Sequence, residues 1–257
     1  MKKIFLAAAA LTLCLSTVIG ATGGGMKYNW YCRHVAPGEI PECPPEMSFI
    51  EKENGYYIDR GAEKDPDHPV IYLTFDAGYE NGNVEKILDV MREENVHGSF
   101  FILKNLCERN GDLVKRMAEE GHAVCNHTAN HKDMTLLGDA AFTREIKEME
   151  DVYRNCTGKE LSKFYRPPEG KFTRSNLRLA RDLGYDTVFW SFAYADWDND
   201  RQPDPAGAKA KILSNTHNGE IILLHPTSAT NAAILGDLIK EWKSMGYRFA
   251  TLDELKK

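Results

Sequence analysis

Residues 70–83 read "VIYLTFDAGYENGN" and decide the fold. The run "VIYLTF" is apolar and β-branched or aromatic, as a buried strand requires. Asp76 ends it, and a loop rich in Gly and Asn begins at once. Val84, Ile87, Leu88 and Met91 then recur at helical spacing. Strand, polar loop and helix in that order form half of a crossover unit, with a carboxylate at the strand's end.

The same alternation continues to the C-terminus. "GSFFIL" (98–103) and "HAVCNHT" (122–128) read as strands. A helix marked by Leu113, Val114 and Met117 lies between them and ends near Gly121. A long helix carries Phe142, Ile146, Met149 and Tyr153 and stops at Gly158. "KFYRPP" (163–168) is a short strand, "TRSNLRLARDLG" (173–184) a helix, "DTVFWSF" (186–192) a strand, and residues 205–217 a helix. "EIILLH" (220–225) is a strand, Leu235, Leu238, Ile239 and Trp242 mark a helix closed by Gly246, and "YRFATL" (247–252) is the last strand. Seven strands alternating with helices predict an α/β fold with parallel strands, as an open doubly wound sheet or a barrel.

Upstream the pattern is different. Residues 1–21 have the form of a secretory signal: Lys2 and Lys3, then "IFLAAAALTLCLSTVI", then Gly20 and Ala21. The apolar stretch is short for a spanning helix. Residues 22–69 contain two Pro-rich loops, "APGEIPECPP" and "KDPDHP", and read as an extension packed on the main domain.

The chain has 257 residues, 32 of them basic and 38 acidic. Loss of Lys2 and Lys3 with the leader takes the net charge from −6 to −8. Such a surface has no general attraction for nucleic acid or anionic membrane, and no protein partner is indicated. Beyond the leader the cysteines are Cys32, Cys43, Cys107, Cys125 and Cys156. An odd number leaves one unpaired. Cys32 and Cys43, flanking a Pro-rich loop, are the pair expected to form a disulfide.

The reactive side chains fall at the strands' carboxyl ends: Asp76, His127 with His131 beyond it, Arg166, Asp196 and His225. In a barrel these ends share one rim, where active sites form. His127 and His131, at i and i+4 in "HTANH", suit one cation if the segment turns helically; otherwise they are polar loop residues. Asp76 is a loop cap or a general base. Arg166 is a surface charge or a clamp on Asp76. Asp196 belongs to a solvated acidic loop or orients His225 as an acid. His34, His68, His97, His122 and His217 read as structural or surface residues.

Taken together, "TFDAG", "HTANH", "RPPEG", "ADW" and "LLH" resemble, in order and spacing, the five motifs of the NodB-homology polysaccharide deacetylases (carbohydrate esterase family 4). The resemblance covers residues 70–257. The extension, "NWYCR…PP…YYI", is similar in looser fashion to the PdaA-like de-N-acetylases, which act on muramic acid in peptidoglycan on the route to the muramic δ-lactam of spore cortex. The resemblance implies a distorted (β/α)₇ barrel and a metal-assisted attack of water on an N-acetyl carbonyl. By position Asp76 resembles the general base and Arg166 its tether, His127 and His131 two metal ligands, and His225 the general acid with Asp196 as partner. Trp197 and Leu223 resemble walls of the acetyl-methyl pocket, and the backbone N–H of Glu169 the oxyanion donor.

One position departs. The family pattern is T-F-D-D-G, its second Asp a third metal ligand, and this chain has Ala77 there. PdaA-like enzymes often lack that Asp too. The expectation is therefore an active enzyme that binds a divalent metal (zinc, cobalt or manganese) weakly. Peptidoglycan is the favoured substrate, with N-acetylmuramic acid the favoured sugar. Chitin-like N-acetylglucosamine polymers, or glycan binding without catalysis, are the alternatives. Lys171 and Arg174, following Arg166, are candidate contacts for the lactyl carboxylate of muramic acid.

Overall fold

The computed structural model describes residues 25–36 and 38–255. The leader read at residues 1–21 lies outside them. Among the described residues no helix is long and apolar enough to cross a membrane.

The strands are β1 (Lys27–Asn29), β2 (Gly55–Tyr56), β3 (Val70–Ala77), β4 (Ser99–Ile102), β5 (Ala123–Asn126), β6 (Ser162–Tyr165), β7 (Lys171–Thr173), β8 (Asp186–Val188), β9 (Phe192–Ala193), β10 (Glu220–Leu224) and β11 (Arg248–Phe249). The helices are α1 (Val84–Glu93), α2 (Lys104–Arg109), α3 (Gly111–Glu119), α4 (Asp139–Thr157), α5 (Arg174–Asp182), α6 (Pro205–Asn215) and α7 (Ala229–Ser244). Nine strands form one sheet in the order β2-β8-β6-β5-β4-β3-β10-β9, with β11 also paired to β3. Every pairing in it is parallel. The sheet curls until its far strands meet: Ile58 bridges to Glu220, and the Asp59 N–H donates to the Gly219 carbonyl at 2.9 Å. The result is the expected distorted barrel.

Periodicity located the core correctly. Ile87, Leu88, Met91, Leu235, Leu238, Ile239 and Trp242 are fully buried against the outer face of β3, β4 and β10. Both strand faces are covered, which is why these strands read as continuous apolar runs.

Three details differ from the sequence reading. "DTVFWSF" is two strands, because Ser191 interrupts it: the Ile221 N–H donates to Ser191 Oγ, at 3.1 Å, in place of a strand carbonyl. Residues of the extension enter the sheet as β2, and β1 pairs antiparallel with β7. The extension is also held by charge. Glu53, buried, accepts from Arg174, Arg178 and Arg181 of α5 at 2.8, 3.0 and 2.8 Å. Third, Cys32 and Cys43 are free, and Cys43 points its thiol at the Pro44 carbonyl. The neighbouring thiols are instead Cys107 on α2 and Cys156 on α4. Burial first, and then Cys156, pushes Cys107 up to about 12.

Candidate active site

The carboxyl ends of β3, β5, β6 and β10 open into a cleft of about 840 Å³. Asp76, His127, His131, Glu169, Trp197, Leu223 and His225 all line it. Arg166 and Asp196 lie directly beneath, 0% and 1% exposed. Every site residue read from the sequence is therefore at one place.

The side chains form two charge-paired units. In the first, Arg166 donates to Asp76 Oδ1 at 2.8 Å. Its other donors are spent on Thr74 Oγ1 and on the carbonyls of Val188 and Phe189 at 2.9–3.1 Å, so the guanidinium cannot swing away. It also lies over the Phe101 ring, 4.1 Å from the centroid. Burial alone would raise the Asp76 pKa. His127, Arg166 and His225 together outweigh burial and hold it below the ordinary carboxylate value. His127 is itself pushed down to about 4 by burial. With His127 depressed, Arg166, by its charge and its hydrogen bond, is the main group holding the Asp76 pKa down, with His225 behind it.

In the second unit, His225 Nδ1 donates to Asp196 Oδ1 at 2.7 Å. Asp196 Oδ2 accepts from the His225 backbone N–H at 2.8 Å and from Asn231 Nδ2 at 2.6 Å. The proton on Nδ1 leaves Nε2 as the ring's remaining reactive nitrogen. Burial would lower the His225 pKa; the hydrogen bond and charge of Asp196, with Asp76 behind them, raise it above the ordinary imidazole value.

His127 is also fixed in one tautomer. Its Nδ1 donates to the Arg166 carbonyl at 2.9 Å, leaving the Nε2 lone pair free, 3.5 Å from Asp76 Oδ2. The His131 ring is edge-on to it, with centroids 5.0 Å apart. A helical turn over "HTANH", the condition under which i and i+4 spacing would put both imidazoles on one face, does not form. Thr128 and His131 both take left-handed backbone, at φ 74° and 53°. Polar contacts hold that strain. Asn126 Oδ1 accepts from the Thr128 N–H at 2.8 Å, Thr128 Oγ1 accepts from the His131 N–H at 3.0 Å, and buried Glu145 accepts from the Asn130 N–H at 2.9 Å.

"RPPEG" makes a second tight turn. Glu169 and Gly170 are left-handed, and a Cβ on Gly170 would come within 2.9 Å of the Trp190 ring. Glu169 lines the cleft, and its carboxylate pairs with Lys171 at 2.6 Å. Arg174 is not a cleft cation: it reaches away to Glu53 and over Phe49.

Comparison with known proteins gives these arrangements a context. Residues 63–188 match the family model for polysaccharide deacetylase. The chain is 34% identical over 252 residues to the peptidoglycan-N-acetylmuramic acid deacetylase PdaA of Bacillus subtilis, covering 95% of this chain and 94% of that one. The structure of that enzyme, a family 4 carbohydrate esterase, superposes with a TM-score of 0.84 over 90% of this chain and 97% of that one. A 30.6 kDa protein of Geobacillus stearothermophilus is 42% identical over 216 residues, 84% of this chain and 80% of its own. A peptidoglycan-N-acetylglucosamine deacetylase of Bacillus cereus is 30% identical over 191 residues, 72% of this chain and 87% of its own.

The chain belongs to the polysaccharide deacetylase family, carbohydrate esterase family 4. Its members are hydrolases that cleave N-acetyl amide bonds, and they are generally metal-dependent. In this deacetylase no group of three or more His, Cys, Asp or Glu fit to hold a metal exists among the described residues. The donor chemistry fits a metal through two imidazoles, His127 with its Nε2 lone pair free and His131 beside it. Ala77, where the family pattern has its second Asp, offers only a fully buried methyl and no ligand.

Sequence reading did not single out Thr74, Asn231 or Glu145. Each sits one layer behind a reactive group and carries no pattern of its own. The five other histidines are structural or surface residues, as expected; His217, for example, lies between the Asn215 carbonyl and Ser191 Oγ.

Proposed function

We propose that this deacetylase is an exported enzyme of the cell wall that removes acetyl groups from peptidoglycan, acting on N-acetylmuramic acid. The observation that carries the reading is the pair of oppositely biased units on one cleft, a carboxylate whose pKa is held down beside Arg166 and an imidazole whose pKa Asp196 raises. Glycan binding alone needs neither.

An amide is a poor electrophile and an amine a poor leaving group, so the reaction needs a base for water and an acid for nitrogen. Asp76 takes a proton from water as its oxygen bonds to the acetyl carbonyl carbon. The carbonyl oxygen gains the displaced electron pair and is met by the Glu169 N–H. His225 then gives its Nε2 proton to nitrogen as the C–N bond breaks, leaving acetate and a free amine. Trp197 and Leu223 wall the acetyl methyl. A divalent metal on His127 and His131, zinc, cobalt or manganese, would add Lewis-acid polarisation.

Likeness to PdaA along nearly the whole chain, extension included, supports muramic acid. So does Lys171, whose ammonium pairs with the cleft residue Glu169 and suits a lactyl carboxylate. Export rests on the leader-like residues 1–21. N-acetylglucosamine polymers are the second reading, favoured by the Bacillus cereus relative. Mass spectrometry of muropeptides and chitooligosaccharides incubated with protein and divalent metal decides between them. Acetyl loss confined to muramic residues is expected; acetyl retained on both substrates overturns the reading.

A further inference from the structure

The cleft carries more aromatic surface than the acetyl group uses. Tyr79 and Trp197 both line it and are 45% and 61% exposed. Among the described residues only one other aromatic is comparably exposed, Tyr31, which donates to Glu46 in the extension. Trp197 packs edge-on to His225, with centroids 6.3 Å apart, so it borders the sugar being deacetylated. Tyr79 follows Asp76 by three residues and lies on the loop leaving β3. Its hydroxyl is held by Asn199 Nδ2 at 2.5 Å, and Asn199 is two residues beyond Trp197. The two loops are thereby joined, and the Tyr79 ring is presented to solvent in a fixed place.

A fixed, open aromatic ring beside a glycan cleft suits the apolar C–H face of a pyranose. The ring's negative face attracts those C–H groups, and little conformational entropy is lost on binding. We propose that Tyr79 forms a subsite for the sugar next to the one that is deacetylated, stacking on its C–H face. This rests on the reading of the substrate as a glycan chain. The effect belongs in KM and grows with chain length, because the ring serves the neighbouring sugar.

The test compares Tyr79→Ala and Tyr79→Phe on substrates of one, two and four sugars, made from both peptidoglycan and chitin. Wild-type KM is expected to fall with length. Tyr79→Ala should raise KM on the tetrasaccharide about ten-fold, as a lost stacking contact predicts, and by less on the shortest substrate. Tyr79→Phe keeps the ring and should keep most of the length dependence. Direct binding of each tetrasaccharide to the Asp76→Asn protein, with and without Tyr79→Ala, reads the subsite independently of turnover. Binding that weakens with Tyr79→Ala supports the subsite even where no acetyl is released. Equal binding with and without the ring overturns it. So does a Tyr79→Phe protein as impaired as Tyr79→Ala, since the bond to Asn199 would then be the whole contribution.

Discussion

Asp196 shows how one buried carboxylate sets a neighbour's chemistry. It spends Oδ1 on His225 Nδ1, and Oδ2 on the His225 N–H and Asn231. His225 acts as an acid only while protonated, so activity should fall as pH rises through its raised pKa. In Asp196→Asn the opposing effect of burial remains while the raising charge is gone. The alkaline limb of the pH–kcat profile should then move to lower pH; a limb that stays put removes Asp196 from this role. Asp76→Asn and His225→Ala should each lower kcat by about 10²-fold or more, with the fold retained by circular dichroism, although Asp76→Asn should melt lower than wild type because it leaves the buried Arg166 charge unpaired. Near-normal turnover in either would strip that residue of its assignment. Ala77 poses the opposite case, a missing charge. Its methyl is fully buried among apolar neighbours. In Ala77→Asp an unpaired carboxylate there costs stability, whereas one that reaches a metal becomes a third ligand. The variant should melt lower than wild type without metal, bind zinc more tightly, and gain more in melting temperature on adding it. A variant with unchanged zinc affinity would show that position 77 does not face the metal.

The loop from His127 to His131 depends on α4 for its shape. Glu145 accepts from the Asn130 N–H and from Lys132 Nζ at 2.9 and 2.7 Å, and its own carbonyl accepts from the Ala129 N–H at 3.1 Å. Two left-handed non-glycine residues on this loop need such support. Glu145→Ala should therefore weaken zinc binding roughly 10- to 100-fold, as loss of a supporting partner does, with helix content retained by circular dichroism. Unchanged zinc affinity by calorimetry would assign the loop's shape to Asn126 and Thr128 alone. None of this was legible in "HTANH", because Glu145 lies one helix away in sequence and bears the same charge as many surface residues. The buried strands β3, β4, β5 and β10 were legible, since burial on both faces demands continuous apolar runs. The pairing of β1 with β7 was not: three residues carry too little period, and the partner is chosen by tertiary packing of Tyr28 on Phe172. The reactive residues were legible because each ends a readable strand. Arg174 misled for the converse reason, as only the fold shows it turned toward Glu53.

For the whole molecule the costly feature lies where the curled sheet closes. Glu220 opens β10, is 0% exposed, and neither carboxylate oxygen has a hydrogen-bond partner. Burial drives its pKa well above the ordinary carboxylate value, against a smaller lowering by the His217 backbone. Cys32 and Tyr247 are the titratable groups whose own pKa values its charge raises. The folded protein therefore holds a proton on Glu220 at pH values where the unfolded chain has released it. That proton's contribution is fully present below the unfolded pKa of about 4.5 and is lost as pH rises toward the folded one. Between the two, stability should fall by about 1.4 kcal/mol per pH unit from this group alone. Glu220→Gln keeps the shape and removes the titration. Urea unfolding of both proteins from pH 5 to 8 should show the variant gaining on wild type as pH rises above the unfolded pKa. Curves that run parallel across that range would mean that Glu220 is ionised and compensated in the folded protein, and the closure of the barrel would then carry no pH-dependent penalty.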